Sequence, residues 1–218
     1  MHHDSGSKEA PVALSAAAWS EWNHVVEQVM HGVAHALNNR AAALSAVIDL
    51  SKDGDELEGT GGILAQELQR VRDLSFVIRS MGPPRAGVEA FAPRDAATDA
   101  LAVIAMHAGQ RERVAKIDAN TGAAVRAPKW MFVRALVALV VSVPVSGVAT
   151  HGVRVVVAED GDWVVTRVDG FRAQLGAQSR YTEEMAQAMG GDPLDGALGF
   201  RLPSLTALRR REGRTDPR

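Results

Sequence analysis

None of the chain's 218 residues is cysteine, which excludes disulfides, thiolate-held structural zinc and a cysteine nucleophile together. Any chemistry must come from oxygen or nitrogen side chains. The chain also has no excess of either charge: 24 Lys and Arg stand against 26 Asp and Glu, a formal net charge of −2, so nothing marks it as a nucleic-acid binder. The basic end, Arg209 to Arg211 and on to Arg218, reads as a solvated tail. Nor is there a clean membrane span. The most apolar run, Trp130 to Val148, contains Arg134 and is broken by Pro144, well short of the roughly 20 apolar residues a span needs. The first fifteen residues are small and polar, without the apolar core of a signal peptide. A cytoplasmic location with no membrane contact is therefore expected.

With 46% hydrophobic positions, the chain can build one large core or two small ones. A helical pattern begins near Ser15 and runs to about Lys52 without a proline, too long for an ordinary globular helix. Its apolar stripe is Val26, Met30, Val33, Leu37, Leu44 and Ile48, which at about 100° per residue fall within roughly 60° of one another. His35 lies roughly 170° from the centre of that stripe, where a partner protein can reach it, and His24 and His31 share its face. Asp53 to Gly59 reads as a loop, and Thr60 can cap a second helix carrying Leu64, Leu68, Val71, Leu74, Ile78 and Met81 at spacings of three and four. Two long helices joined by a short loop make an antiparallel hairpin, and pairing with a second copy into a four-helix bundle gives each stripe a partner. A homodimer is expected.

Met81-Gly82-Pro83-Pro84 ends the hairpin and marks a boundary. Beyond it the rhythm changes to short strands and helices: a strand at Val88 to Phe91, a helix after Pro93 holding Ala97, Leu101, Val103 and Ile104, a strand at Arg113 to Ile117, and an apolar helix from Pro128 to Val143. Val153 to Val157 and Trp163 to Val168 flank Asp160-Gly161, a hairpin signal. A helix at Tyr181 to Met189 stops at Gly190-Gly191, and Leu198 to Leu202 can return as a strand. The expected fold class is α+β: a loose N-terminus at 1–14, the hairpin at 15–82, a two-layer α/β sandwich at 83–208 and the basic tail at 209–218.

Around His35 the helix reads Gly32-Val33-Ala34-His35-Ala36-Leu37-Asn38-Asn39, which resembles the phosphoacceptor box Gly-Val-Ala-His-Asp-Phe-Asn-Asn of bacterial sensor histidine kinases at all but two positions. Hairpin followed by sandwich is likewise the family's order of dimerisation and ATP-binding domains. The resemblance implies that His35 is the phosphoacceptor and that Asn39 is half of the pair that serves dephosphorylation. Ala36 replaces the Asp or Glu that acts as base, a role worth roughly 10²- to 10⁴-fold.

The family's nucleotide motifs are eroded. Ala138 and Ser142 stand where the resemblance places asparagines, one of them the magnesium ligand, in Leu136-Val137-Ala138-Leu139-Val140-Val141-Ser142. Val168-Asp169-Gly170-Phe171-Arg172 keeps the adenine-binding aspartate without the glycines, and Gln174-Leu175-Gly176-Ala177-Gln178 keeps one glycine of three. So few residues separate these motifs that no nucleotide lid fits between them. The expectation is that the chain binds neither ATP nor Mg²⁺ and holds no other cofactor or metal, His31 and His35 lacking the glutamate of a His-Glu-x-x-His site.

The function expected is that of a histidine phosphotransferase in a two-component phosphorelay, similar in layout to the kinase-shaped phosphotransferases. His35 would accept a phosphoryl group from one receiver-domain aspartate and pass it to another, the response-regulator receiver supplying Mg²⁺ and a hybrid histidine kinase standing upstream. The alternative is a non-catalytic pseudo-histidine-kinase dimer acting as scaffold or regulator, and an active sensor kinase is disfavoured by the lost motifs. Trp19 and Trp22 read as packing residues at the bundle end, Asn38 as a solvent-facing polar residue, and Asp169 as a strand-end turn former. Arg40 can either lie over the dimer seam or pair with a phosphate on His35.

Overall fold

A computed structural model describes residues 13–52, 60–82, 87–107, 116–119, 121–143, 153–169 and 178–213. The expectations for residues 1–12, the loop 53–59, the prolines at 83 and 84, the strand start at 113–115, the run beyond 143, the glycine-rich remnant at 174–177 and the tail from 214 lie outside the described residues.

Two helices, α1 (Ala16–Lys52) and α2 (Thr60–Met81), pack on each other as the hairpin. At 1.5 Å per residue α1 is about 55 Å long. It buries Ala18, Trp22, Val25, Val29, Val33 and Ala36, a face centred roughly 90° round the helix from the exposed Trp19, Met30, Leu37 and Ile48. The single apolar stripe expected from the sequence is thus the meeting of two arcs. Val33 belongs to the packed one, Val26 and Leu44 are half-buried between them, and Met30, Leu37 and Ile48 are left in solvent. On α2, Leu74 and Val77 are packed while Leu64, Leu68 and Ile78 are exposed.

The hairpin is cross-tied by Glu67, whose carboxylate is almost fully buried and accepts from Arg40 at 3.3 Å and from Arg70. Arg40 therefore points along the α1–α2 contact, roughly 140° round α1 from His35, and not towards the histidine.

The second part begins with β1 (Glu89–Phe91) and α3 (Pro93–Ile104), the latter opened by proline at its first position. Then come β2 (Lys116–Ala119), β3 (Val125–Ala127), α4 (Lys129–Val141), β4 (Arg154–Asp160), β5 (Trp163–Asp169), α5 (Arg180–Ala188), β6 (Asp192–Pro193), β7 (Gly199–Pro203) and α6 (Leu205–Gly213). Five strands form a mixed sheet in the order β2-β4-β5-β7-β6, and β1 pairs antiparallel with β3 as a separate ribbon. Only β2 and β4 run parallel; the other pairs in the sheet are antiparallel. The β4–β5 register opposes Asp160 to Trp163, and Gly161 takes φ +59° in the turn, a conformation that favours glycine.

Val155, Val157, Val164, Val168, Phe200 and Leu202 point from the sheet into a core completed by α3, α4 and α5. Nearly every residue of α4 is buried, since this helix is flanked by α3 and α5, touches both hairpin helices and meets β7 through Phe132 on Phe200. A helix enclosed on all sides is apolar on all sides, which accounts for its membrane-like composition. No helix among the described residues is long and apolar enough to cross a membrane.

Three short elements depart from the sequence reading. β3 and β6 were not foreseen. Arg209 to Arg211 stand on α6 rather than in a loose tail, with Arg210 paired to Asp162 at 2.5 Å.

Candidate functional site

His35 sits midway along α1 with its imidazole exposed, and it makes no hydrogen bond or ion pair to another described residue. It lies roughly 115° from the packed arc and 150° from the exposed apolar one, so neither internal packing nor the apolar seam covers it. Asn38 and Asn39 are exposed as well, Asn39 one turn further along and only about 40° away. His31 precedes His35 by one turn and is also exposed. Among the described residues no three potential metal ligands gather.

The positions flanking His35 are held from below. Gly32 is buried against the end of α3: a Cβ there would overlap the carbonyl oxygen of Met106 and stand 2.9 Å from its carbon. Glycine is needed for this approach of helix backbone to chain. Ala36, next to His35 in the chain, is turned into the packed face and is 9% exposed. His107, next to Met106, is buried, and burial with the nearby His24 holds its pKa below the ordinary histidine value.

The start of α1 is fastened to the sandwich by two reciprocal caps. The Glu21 carboxylate accepts from the Ser179 hydroxyl at 2.8 Å and from the Tyr181 N–H at 3.1 Å, at the N-terminus of α5. In return the Glu184 carboxylate of α5 accepts from the N–H and hydroxyl of Ser15 at 2.7 and 2.6 Å, at the N-terminus of α1. Each helix thus satisfies the orphan donors and positive end of the other. The two bonds from Ser15 keep the Glu184 carboxyl below its usual pKa.

Aromatic packing reinforces the caps. Trp22 stacks on Tyr181 with centroids 4.8 Å apart, and Trp19 meets the same ring edge-on at 6.4 Å. The two tryptophans therefore pack on the sandwich, where the sequence suggested a bundle end. Arg134, the charge that interrupts the apolar run of α4, lies 5.2 Å from the Trp22 ring and 5.0 Å from Trp130, and it donates to the carbonyls of Ser80 and Gly82 at the end of α2. One buried guanidinium thereby satisfies the last carbonyls of the hairpin. Burial lowers its pKa and raises that of the Tyr181 phenol.

Part of α4 faces α1 across this junction. Ala138 and Ser142 of α4, with Gln178 and Ser179, line a cavity of about 290 Å³ whose other wall is Glu21, His24 and Val25 of α1. Ala138 offers no ligand atom, and the Ser142 hydroxyl donates back to the Leu139 carbonyl at 2.8 Å. Asp169, at the end of β5, pairs with Arg167 on the surface. His35 and Asn39 stood out in the sequence, whereas Glu21 and Glu184 did not. Their only sequence signal is a serine at each helix start, and the partner glutamates are 158 and 169 residues away.

Fold and site together define an α+β protein in which a long helical hairpin, docked on a mixed-sheet sandwich, presents a free imidazole. No protein-family model and no curated protein matches the chain. Solved structures similar in layout include the histidine kinase AdeS of Acinetobacter baumannii, at 12% identity and a TM-score of 0.43 over 78% of this chain and 98% of that one. Others are the histidine kinase ThkA, in complex with the response regulator TrrA, at 13% and 0.40 over 88% and 64%, and a bacterial phosphotransferase at 16% and 0.37 over 90% and 100%. Similarities this distant do not determine function, so the chemistry rests on the chain's own residues.

Proposed function

We propose that the chain is a histidine phosphotransferase: His35 accepts a phosphoryl group from the aspartyl phosphate of one receiver domain and donates it to the aspartate of another. The observation that carries this reading is the exposed, unengaged imidazole of His35, clear of both apolar arcs of α1. In each transfer an imidazole nitrogen attacks phosphorus as the carboxylate oxygen leaves, and the reverse step moves the group on. Both phosphoryl donors are reactive, so the carrier mainly has to present an imidazole in line with the receiver's aspartate. Mg²⁺ arrives with the receiver, and Asn39, exposed one turn further along α1, is the side chain assigned to contact the transferred group.

ATP is not the donor in this reading. The Glu21 carboxylate lies on the N-terminus of α5, where a nucleotide's phosphates would otherwise find N–H donors. Ala138 and Ser142 do not suit Mg²⁺, which requires rigidly placed hard oxygen ligands. The exposed seam of Met30, Leu37 and Ile48 on α1 with Leu64, Leu68 and Ile78 on α2 is the surface on which two hairpins form a homodimeric four-helix bundle. Sedimentation equilibrium tests it: Leu68→Glu is expected to leave monomers.

A second reading, a non-catalytic pseudokinase dimer that binds a kinase or receiver, is favoured by one observation: Ala36 is buried and carries no carboxylate. Incubation with a phosphorylated receiver separates the two. Acid-labile phosphate appearing on the wild type but not on His35→Ala supports the phosphotransferase, and its absence from both supports the scaffold. Calorimetric titration with Mg-ATP tests the donor, tight binding being the result that overturns a protein donor.

A further inference from the structure

A second cavity, of about 390 Å³, opens between the end of α2 and the sandwich, away from His35 and from the Glu21 junction. Its size falls in the range of roughly 300 to 1,000 Å³ usual for small-molecule sites, and junctions between structural units are where such sites concentrate. Phe76 of α2, Val88 beside β1, and Trp130 and Val133 of α4 give it apolar walls. Val88 remains 43% exposed for all its apolar surface.

Four charges line the same space. Lys129 and Asp99 satisfy each other at 2.7 Å. Arg79 and Glu89 are both exposed, and neither has an ion-pair partner among the described residues. A simple anion is drawn to Arg79 but repelled by Glu89, and a simple cation meets the converse. A ligand that carries an ammonium and a carboxylate on one carbon, with an apolar extension, satisfies all three features of the cavity.

We infer that this cavity is a binding site for a free α-amino acid with an apolar side chain. The carboxylate faces Arg79, the ammonium faces Glu89, and the side chain lies against Phe76 and Trp130. The inference is independent of the chemistry of His35.

L-phenylalanine titrated into the full ¹⁵N-labelled chain is the test, with phenethylamine lacking the carboxylate and N-acetyl-L-phenylalanine lacking the positive charge. Saturable shifts are expected at the Trp130 indole and the Val88 amide, with millimolar or tighter affinity, about −4 kcal/mol or better. Arg79→Gln and Glu89→Gln should each weaken L-phenylalanine at least about tenfold, close to 1.4 kcal/mol. Glu89→Gln should leave the already weak N-acetyl compound unchanged. Both positions are on the surface, and unchanged thermal unfolding of the variants shows that the fold is kept. Failure of L-phenylalanine to produce saturable shifts at about ten times millimolar concentration, or shifts that neither variant weakens, overturns the proposal.

Discussion

Replacing Gly32 by alanine sets two well-characterised effects against each other in one residue. In a helix interior alanine is preferred over glycine by about 1 kcal/mol, so a free hairpin would gain stability. In the folded chain, however, the new Cβ would overlap the Met106 carbonyl oxygen and stand 2.9 Å from the carbonyl carbon. Both are backbone atoms at the end of α3, so the clash cannot be relieved by a rotamer change. Overpacking of this kind costs about 1–3 kcal/mol, occasionally more. Since the carbonyl oxygen itself is overlapped, the upper part of that range applies, and a net loss of about 1–2 kcal/mol is expected. Gly62 on α2 supplies the control, because a Cβ there meets nothing within 4 Å, and Gly62→Ala should raise stability by up to about 1 kcal/mol. Urea unfolding of both variants against wild type reads the two signs, and at this chain length each kcal/mol also moves Tm by about 2–4 °C. A Gly32→Ala protein as stable as wild type or more so would refute the close packing of α1 on the Met106 backbone beneath His35.

Trp22→Ala removes the stack on Tyr181 and the ring beneath Arg134; equilibrium urea unfolding should show a loss of about 3–5 kcal/mol. Ala36→Glu puts a carboxylate next to His35 in the chain but not on the exposed face of α1. Because the position is on the packed face, urea unfolding should show a loss of about 1–3 kcal/mol and a coupled assay no ATP hydrolysis. Acidification should destabilise the fold in two stages, read as Tm against pH. His107 has a depressed folded pKa, so its contribution is full above the ordinary value of 6.5 and is lost as pH falls through the folded value. Glu184, also depressed, loses its contribution in the same direction at lower pH, and Glu184→Gln should flatten that second stage.

Much of the fold was legible in residue spacing. The hairpin followed from apolar residues three and four apart, the β4–β5 turn from Asp160-Gly161, and the end of α5 from Gly190-Gly191, where Gly190 takes φ +77°. Periodicity does not say how many surfaces an apolar arc serves. Val33 and Met30 looked like one stripe, yet Val33 is 1% exposed and Met30 38%, because the sandwich and α2 take only half of the arc. The polar α6, with Ala207 as its one buried residue, has no periodic signal to read. His35 could be placed on its face from the helix alone. What holds that face in position, Glu21 against α5 and Glu184 against α1, could not, since each bond joins residues brought together only by the finished fold. Arg134 shows the same limit from the other side: in the sequence it was merely the charge that spoils a membrane span, and in the structure it joins the hairpin's last carbonyls to two tryptophans.

In the proposed relay, phosphate passes through His35 from protein to protein. The direct measurement is a time course in which a receiver carrying labelled aspartyl phosphate is mixed with the full chain and then with a second, unlabelled receiver. Acid-labile label on the wild-type chain, its onward movement to the second receiver, and neither event with His35→Ala are expected. Label that never reaches the wild-type chain from any receiver, or that reaches the His35→Ala chain equally well, would contradict it.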